Sequence, residues 1–339
     1  MEISPAQSPL VSIIIPVKNG ERTLGHCLRS IGRSYYKNFE VLVVDDHSTD
    51  STREVASQLG ASVLTAENGA GANFARNLGA GKAKGEILIF LDSDILVKRE
   101  TILGIVETLE EGSIDAVVGL YSAKHRREPL VSEYKNLWVR YSYIKSPAVI
   151  DWLFGAISGI RREAFEKLGG FDVNMLTRQV DDVDLGKRFA KANLNIELNM
   201  EIEVEHMKIY TLSSFVKNEF QRSYGFAKLA TKLGEASGSL SKGFANVYPE
   251  FIISTVFSMV IVVIVAGAAT RVLPWWVVAS FAGAYLVLNI RFLNYLEQVR
   301  GLFAMIVMLP ILFLDHLVCL AGSVFGVLAS LLGGRKPHV

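Results

Sequence analysis

At 339 residues the chain has room for one large or two ordinary domains, and 35 basic against 34 acidic residues leave a formal charge of +1. That balance excludes nucleic-acid binding through bulk positive charge, and no nucleic-acid partner is expected. Apolar residues are 50% of the total and gather in charge-free stretches at 251–270, 272–290 and 317–334, lengths that suit bilayer crossing.

The first residues, MEISPAQSPL, have neither a basic start nor a long apolar run, so no cleaved export signal is expected. Next come short, β-branched runs at 11–16, 40–44, 61–65, 86–91 and 115–120, read as strands buried on both faces. Amphipathic stretches at 21–33, 50–59, 71–83 and 101–111 separate them. This rhythm predicts an α/β domain with a doubly wound, mostly parallel sheet. Ligands bind such sheets beyond the carboxyl ends of the strands. The polar residues cluster there: Pro16-Val17-Lys18-Asn19, Asp45-Asp46-His47-Ser48 and Asp92-Ser93-Asp94.

Residues 121–210 are mixed, with aromatics at 134–154, a small-residue patch GAISG at 155–159 and a helical stretch at 182–192. Between 208 and 242, Lys208, Lys217, Arg222, Lys228, Lys232 and Lys242 interleave with Phe215, Phe220, Tyr224, Phe226 and Leu229. This pattern fits helices on an anionic membrane surface. Beyond it, 251–270 and 272–290 read as two crossings joined through Thr270-Arg271, with Trp275-Trp276 at an interface. Residues 302–334 read either as a surface helix plus a span or as one longer helix. Asp315 and His316 within it are either paired, functional groups or an interfacial break. Cys27 and Cys319 fall in segments so different that both read as reduced packing residues.

A D-x-D at a strand end puts two carboxylates close enough to share a hard divalent cation, whereas each acid alone reads as a helix cap or Asx turn. Asp50 is placed to cap the helix beginning near Ser51, which leaves Asp46 and Ser48 facing the crevice. Asp181 and Asp182 open a predicted helix, where the dipole favours negative charge, and crowding of the pair lifts one pKa toward a base. His206, at the end of EVEH, reads as a metal or phosphate contact or as a satisfied structural residue.

Five ordered motifs, SIIIPVKNGERTL at 12–24, VVDDHSTDST at 43–52, ARNLGAGKAKGEILIFLDSD at 75–94, GIRREAFEKLGGFD at 159–172 and DDVDLGKRF at 181–189, resemble glycosyltransferase family 2. These are inverting sugar-nucleotide transferases with the GT-A fold. The resemblance implies that Pro16, Asn19, Glu21, Asp46 and Arg76 line a nucleoside pocket, and that Asp92, Ser93 and Asp94 meet the diphosphate of a UDP-, GDP- or dTDP-sugar with Mg²⁺ or Mn²⁺. It also implies that Asp182 is the base. Asp181 stands where the family has Glu. The Gln-x-x-Arg-Trp signature of processive synthases has its nearest match in Gln221-Arg222-Ser223-Tyr224-Gly225, without the ending, so one transfer per acceptor is expected. Arg222 is then a diphosphate or acceptor contact, or part of a solvated basic face.

The expected organisation is a GT-A domain at 1–210, amphipathic helices at 211–247 and a transmembrane region at 248–334. The protein is expected in a prokaryotic cell membrane, its catalytic domain cytoplasmic and its acceptor a lipid or lipid-linked glycan. A non-catalytic sugar-nucleotide-binding scaffold, or a flippase-associated protein, is the rival.

Overall fold

The computed structural model describes residues 8–66, 71–124, 129–175, 180–236, 238 and 243–332. The opening stretch read for an export signal lies largely outside that set, as do Lys242 of the basic pattern and residues 333–334 of the last apolar stretch. Contacts divide the chain into two units: 1–126, 143–176 and 181–208 in one, 127–142, 177–180 and 209–339 in the other.

The first unit opens with β1 (Val11–Val17), α1 (Leu24–Gly32), β2 (Phe39–Asp45), α2 (Thr52–Gln58), β3 (Ser62–Thr65), α3 (Ala72–Lys82) and β4 (Ile87–Leu91). Helical crossovers make these strands pair in parallel, in the order β3-β2-β1-β4. β1 and β4 are buried along their whole length, as expected for strands covered on both faces. β3, SVLT, does not follow: as the edge strand it has a neighbour on one side and stays partly exposed.

The chain continues through β5 (Ile95–Val97), α4 (Thr101–Glu110), β6 (Ala116–Tyr121), α5 (Leu130–Ile144), β7 (Val149–Ile150), β8 (Ile157–Arg161), α6 (Arg162–Lys167), α7 (Asp181–Lys191) and β9 (Ile196–His206). Most of α5 packs in the second unit. The β-α alternation that enforces parallel pairing lapses here. β8 inserts antiparallel between β4 and β6, and β9 runs parallel to β6 but antiparallel to β5 and β7. The resulting α/β sheet is mixed, and its parallel half carries the first two polar loops.

The second unit holds α8 (Leu212–Lys232), α9 (Pro249–Ala269), α10 (Trp275–Leu288), α11 (Ile290–Arg300) and α12 (Leu302–Leu332). Thr211 and Ser214 form a reciprocal capping box at the start of α8. α8 runs along α12, where a Cβ at Gly322 or Gly326 would overlap the backbone of Phe220 or Tyr224. Small residues permit that approach, so part of α8 faces protein rather than a lipid surface.

α9 and α12 are each long and apolar enough to cross a membrane. The expected span at 272–290 is not a single straight helix. α10 has 14 residues, and it bends by 67° into α11. The break falls at Asn289, whose amide donates to Ser254 Oγ (3.2 Å) and to the Tyr285 carbonyl (2.9 Å). Counting the bent pair as one span gives up to three crossings among the described residues. Residues 302–332 form one continuous helix with Pro310 inside, which answers the choice left open by the sequence. Asp315 and His316 are buried within it. Tyr134 donates to Asp315 (2.8 Å), and Tyr285 Oη meets His316 Nδ1 (2.6 Å). They are paired groups and not an interfacial break. Cys27 and Cys319 are free and buried.

Candidate active site

The loops after β1 and β2 hold one another. Ser48 Oγ accepts from the Asn19 N–H (2.8 Å), Asn19 Oδ1 accepts from the Thr49 N–H (2.9 Å), and Glu21 Oε2 accepts from the Ser51 N–H (3.1 Å). Asn19 and His47 both adopt left-handed backbone, with φ of 53° and 57°, which Asn and His tolerate better than most residues. Asp50 accepts from the Thr52 N–H (3.1 Å) at the start of α2, the capping role expected of it. Asp46 is buried, takes a weak hydrogen bond from the Gly71 N–H (3.4 Å), and has Lys18 at 3.9 Å. Pro16 lies in β1 opposite Val44. Asn19 and Glu21 therefore build the loop platform, while Asp46 marks its floor.

Arg76 is the centre of the acidic cluster. It projects from α3 and is 7% exposed; its guanidinium reaches Asp92 Oδ1 at 3.1 Å and Asp181 Oδ2 at 2.7 Å. A fork-shaped, permanently charged group is suited to bridging two carboxylates. It joins the end of β4 to the start of α7. Burial opposes the Arg76 charge, but Asp181, Asp92 and Asp182 outweigh it and raise its pKa.

Asp182 is held differently. Its Oδ2 accepts from the Gly155 N–H and its Oδ1 from the Val183 N–H, both at 2.9 Å. Burial and the neighbouring Asp181 charge lift its pKa to about 7, against the pull of those hydrogen bonds and of Arg76. Asp182 is thus the member of the pair whose pKa is raised, by burial first and by the Asp181 charge second.

Asp94 sits 3.6 Å from His206 Nε2, because β5 and β9 pair with Ile95 opposite His206. Burial works against the Asp94 charge, yet the His206 imidazole and Lys208 overcome it and hold the pKa low. Asp92 moves the other way: burial raises it, Arg76 lowers it and Asp94 raises it again, with a net upward shift. Burial is the largest of these effects, and Arg76 outweighs the Asp94 charge, so the upward shift of Asp92 reflects the removal of its carboxylate from water. Two carboxylates beside an imidazole suit Mg²⁺ or Mn²⁺. Among the described residues the tightest trio of metal-ligating atoms is elsewhere, in Glu219, Asp315 and Cys319 of the second unit. Ser93 lies in the turn between the two aspartates, near Gly20.

Two contributors escaped the sequence reading. Gly155, in the GAISG patch, donates its N–H to Asp182; a Cβ there would stand 3.3 Å from Asp182 Oδ2. Tyr121 stacks on His206, with ring centroids 4.7 Å apart. Neither position carries a signal beyond being small or aromatic. Arg222 belongs to the second unit, with Asn246 Oδ1 at 3.3 Å and the Phe226 ring at 5.2 Å.

The Glycosyl transferase family 2 model matches residues 12–169. Residues 12–169 are a glycosyltransferase family 2 domain. Glycosyltransferase GlyG of Streptococcus pneumoniae is 35% identical over 119 residues, 34% of this chain and 40% of that protein. UDP-Glc:alpha-D-GlcNAc-diphosphoundecaprenol beta-1,3-glucosyltransferase WfgD of Escherichia coli is 42% identical over 88 residues, 25% of this chain and 35% of that protein. The chain thus spans less than half of either relative. The mannosyltransferase PcManGT from Pyrobaculum calidifontis, solved with GDP-Man and Mn²⁺, superposes with a TM-score of 0.61 and 20% identity, covering 91% of this chain and 89% of that one. The likeness is one of fold. The family 2 match contains Arg76, Asp92 and Asp94 and ends before Asp181, Asp182 and His206, which the sheet brings to it.

Proposed function

We propose that the protein is a membrane-bound, inverting glycosyltransferase that moves one sugar from a nucleotide-diphosphate donor to a hydroxyl of a lipid or lipid-linked glycan. The observation that carries this reading is the Arg76 bridge from Asp92 to Asp181, with Asp182 poised near neutrality beside it. Asp182 takes the acceptor hydroxyl proton through the carboxylate oriented by the Gly155 N–H, while the oxygen attacks the anomeric carbon opposite the departing diphosphate. Arg76 balances the acids on both sides of that path. Asp46, with Pro16, Asn19 and Glu21 around it, receives the nucleoside.

Asp92, Asp94 and His206 would hold Mg²⁺ or Mn²⁺, which supplies charge neutralisation at the leaving diphosphate. The Mn²⁺ and GDP-Man of the PcManGT complex support this assignment, and the diphosphoundecaprenol acceptor in the WfgD name supports a lipid-linked one. The catalytic unit works at the cytoplasmic face of a cell membrane, where Lys217, Lys228 and Lys232 of α8 suit anionic lipid.

Metal-dependent thermal stabilisation by UDP-, GDP- and dTDP-sugars identifies the donor, and release of the nucleoside diphosphate reports turnover. Asp94→Ala is expected to abolish both metal-dependent effects while the protein stays folded. Donor binding without any turnover, across donors and lipid-linked acceptors, would favour the scaffold instead.

A further inference from the structure

We propose that Phe171 is a positioning residue whose ring face holds the Arg76 guanidinium in the orientation that bridges Asp92 and Asp181; this rests on the role given to that bridge above. The guanidinium lies over the Phe171 ring, 5.3 Å from its centroid, and both side chains are buried. Asp92, Asp181 and Asn73 Oδ1, at 3.1, 2.7 and 3.4 Å, take hydrogen bonds from the edge of the fork. A guanidinium donates only in its own plane, so those bonds leave its flat faces uncommitted. The negative face of an aromatic ring complements such a cation.

The ring is fixed in the same frame as the arginine. Asn73, Arg76 and Asn77 share one face of α3 through their i, i+3, i+4 spacing. Asn77 Nδ2 donates to the Phe171 carbonyl (2.8 Å), Asn77 Oδ1 accepts from the Phe171 N–H (2.9 Å), and Asn73 Nδ2 donates to the Asp172 carbonyl (2.9 Å). Gly170 has a left-handed φ of 72°, and a Cβ there would stand 2.7 Å from Asn77 Oδ1, so a side chain would force this clamp open. From α7, Arg188 donates to the Leu168 carbonyl (2.9 Å) and to the Gly170 carbonyl (2.8 Å). The loop therefore ties the helix that carries Arg76 to the helix that begins with Asp181.

Phe171 also stands edge-on to Phe90, with centroids 5.2 Å apart, and packs on Phe165 at 5.8 Å. Filling that space needs volume alone, whereas holding a cation needs the electron-rich face of the ring. The two roles therefore separate when the electronics change and the shape does not. Asp182 reports the state of the bridge: it is faced by Asp181 of its own helix and by Arg76 of α3, and Arg76 is faced in turn by Asp181, Asp92 and Asp182. A guanidinium that tilts away from these acids loses part of the attraction that keeps Asp182 ionised.

The test uses the full chain in detergent with a membrane lipid extract, Mn²⁺ and whichever UDP-, GDP- or dTDP-sugar stabilises the wild type, and reads release of the nucleoside diphosphate. Mono-, di- and trifluorophenylalanine in place of Phe171 keep the ring's shape and progressively drain its negative face. The series is expected to lower kcat stepwise to about tenfold below wild type, the scale of a desolvated cation–π contact. It is also expected to move the rising limb of kcat/KM to higher pH, and the same series at Phe165 to leave that limb in place. With Arg76→Gln present, fluorination of Phe171 is expected to change neither kcat nor melting temperature, as befits a residue that acts through the arginine. Phe171→Leu removes the face altogether and should move the limb further the same way; where it loses its melting transition, the fluorinated series carries the test. A limb indifferent to fluorination of Phe171, or effects that persist beside Arg76→Gln, overturns the proposal. Absence of turnover with every donor sinks the transferase reading instead, and the melting-temperature cycle still decides whether Phe171 acts on Arg76.

Discussion

Asp182 and Arg76 divide the work of the acidic cluster, and the division is measurable through pH. The Asp182 pKa of about 7 means that the free protein carries mostly neutral carboxyl at pH 6 and mostly carboxylate at pH 8. A base acts only when deprotonated, so kcat/KM is expected to rise with pH through about 7 and then level off. Asp182→Asn should lower kcat by about 10²- to 10⁴-fold, the usual worth of a positioned base. Arg76→Gln removes a positive charge that holds the Asp182 pKa down. The rising limb is therefore expected to move to higher pH, and a shift to lower pH would contradict the proposed coupling. Of this cluster, the sequence revealed the identities and the crowding of Asp181 with Asp182. It could not reveal that Arg76, 105 positions before Asp181, would bridge the acids, since that pairing depends on the tertiary fold bringing the start of α7 to a side chain of α3.

At the level of elements, the β-α alternation made β1 through β4 readable, because crossover helices leave a parallel strand with no polar face. The same rule does not extend to β8, ISGIR, which is nearly as buried but antiparallel: burial alone carries no direction. The contact between α7 and the loop before Gly155 was also hidden. A Cβ on Gly186 would overlap the backbone of Trp152 and Leu153, so α7 lies directly on the segment leading to the N–H that holds Asp182. Gly186→Ala is expected to destabilise the protein by about 1–3 kcal/mol, the cost of overpacking a close contact, and to lower turnover more than Gly81→Ala. Gly81 serves as the control because a Cβ there meets nothing within 4 Å. Melting curves and initial rates on both variants check this.

Across the whole molecule, α5 shows most clearly what linear reading misses. Residues 129–142 lie inside the expected catalytic boundary of 1–210, yet they group with the apolar C-terminal helices. Tyr134, Leu137 and Trp138 are buried, with Trp138 stacked on Phe251 and edge-on to Phe292. Glu133 pairs with Arg300. A fragment ending at residue 210 would strip those partners from α5 and expose a contiguous aromatic face, a surface that promotes aggregation. That fragment is expected to elute as aggregates in size-exclusion chromatography, whereas the full chain in detergent gives a discrete peak.

The sequence by itself determined the alternating core, the acid-bearing strand ends, the family 2 motifs and the apolar C-terminal stretches. Each is recorded in residues close together along the chain, through helical and strand periodicity or a short polar run. Tertiary structure decided which acids share Arg76, that His206 meets Asp94, that α10 breaks at Asn289 and that α5 joins the distant helices. Those outcomes depend on which buried surfaces and charges find one another across long separations, and no local period encodes such a choice.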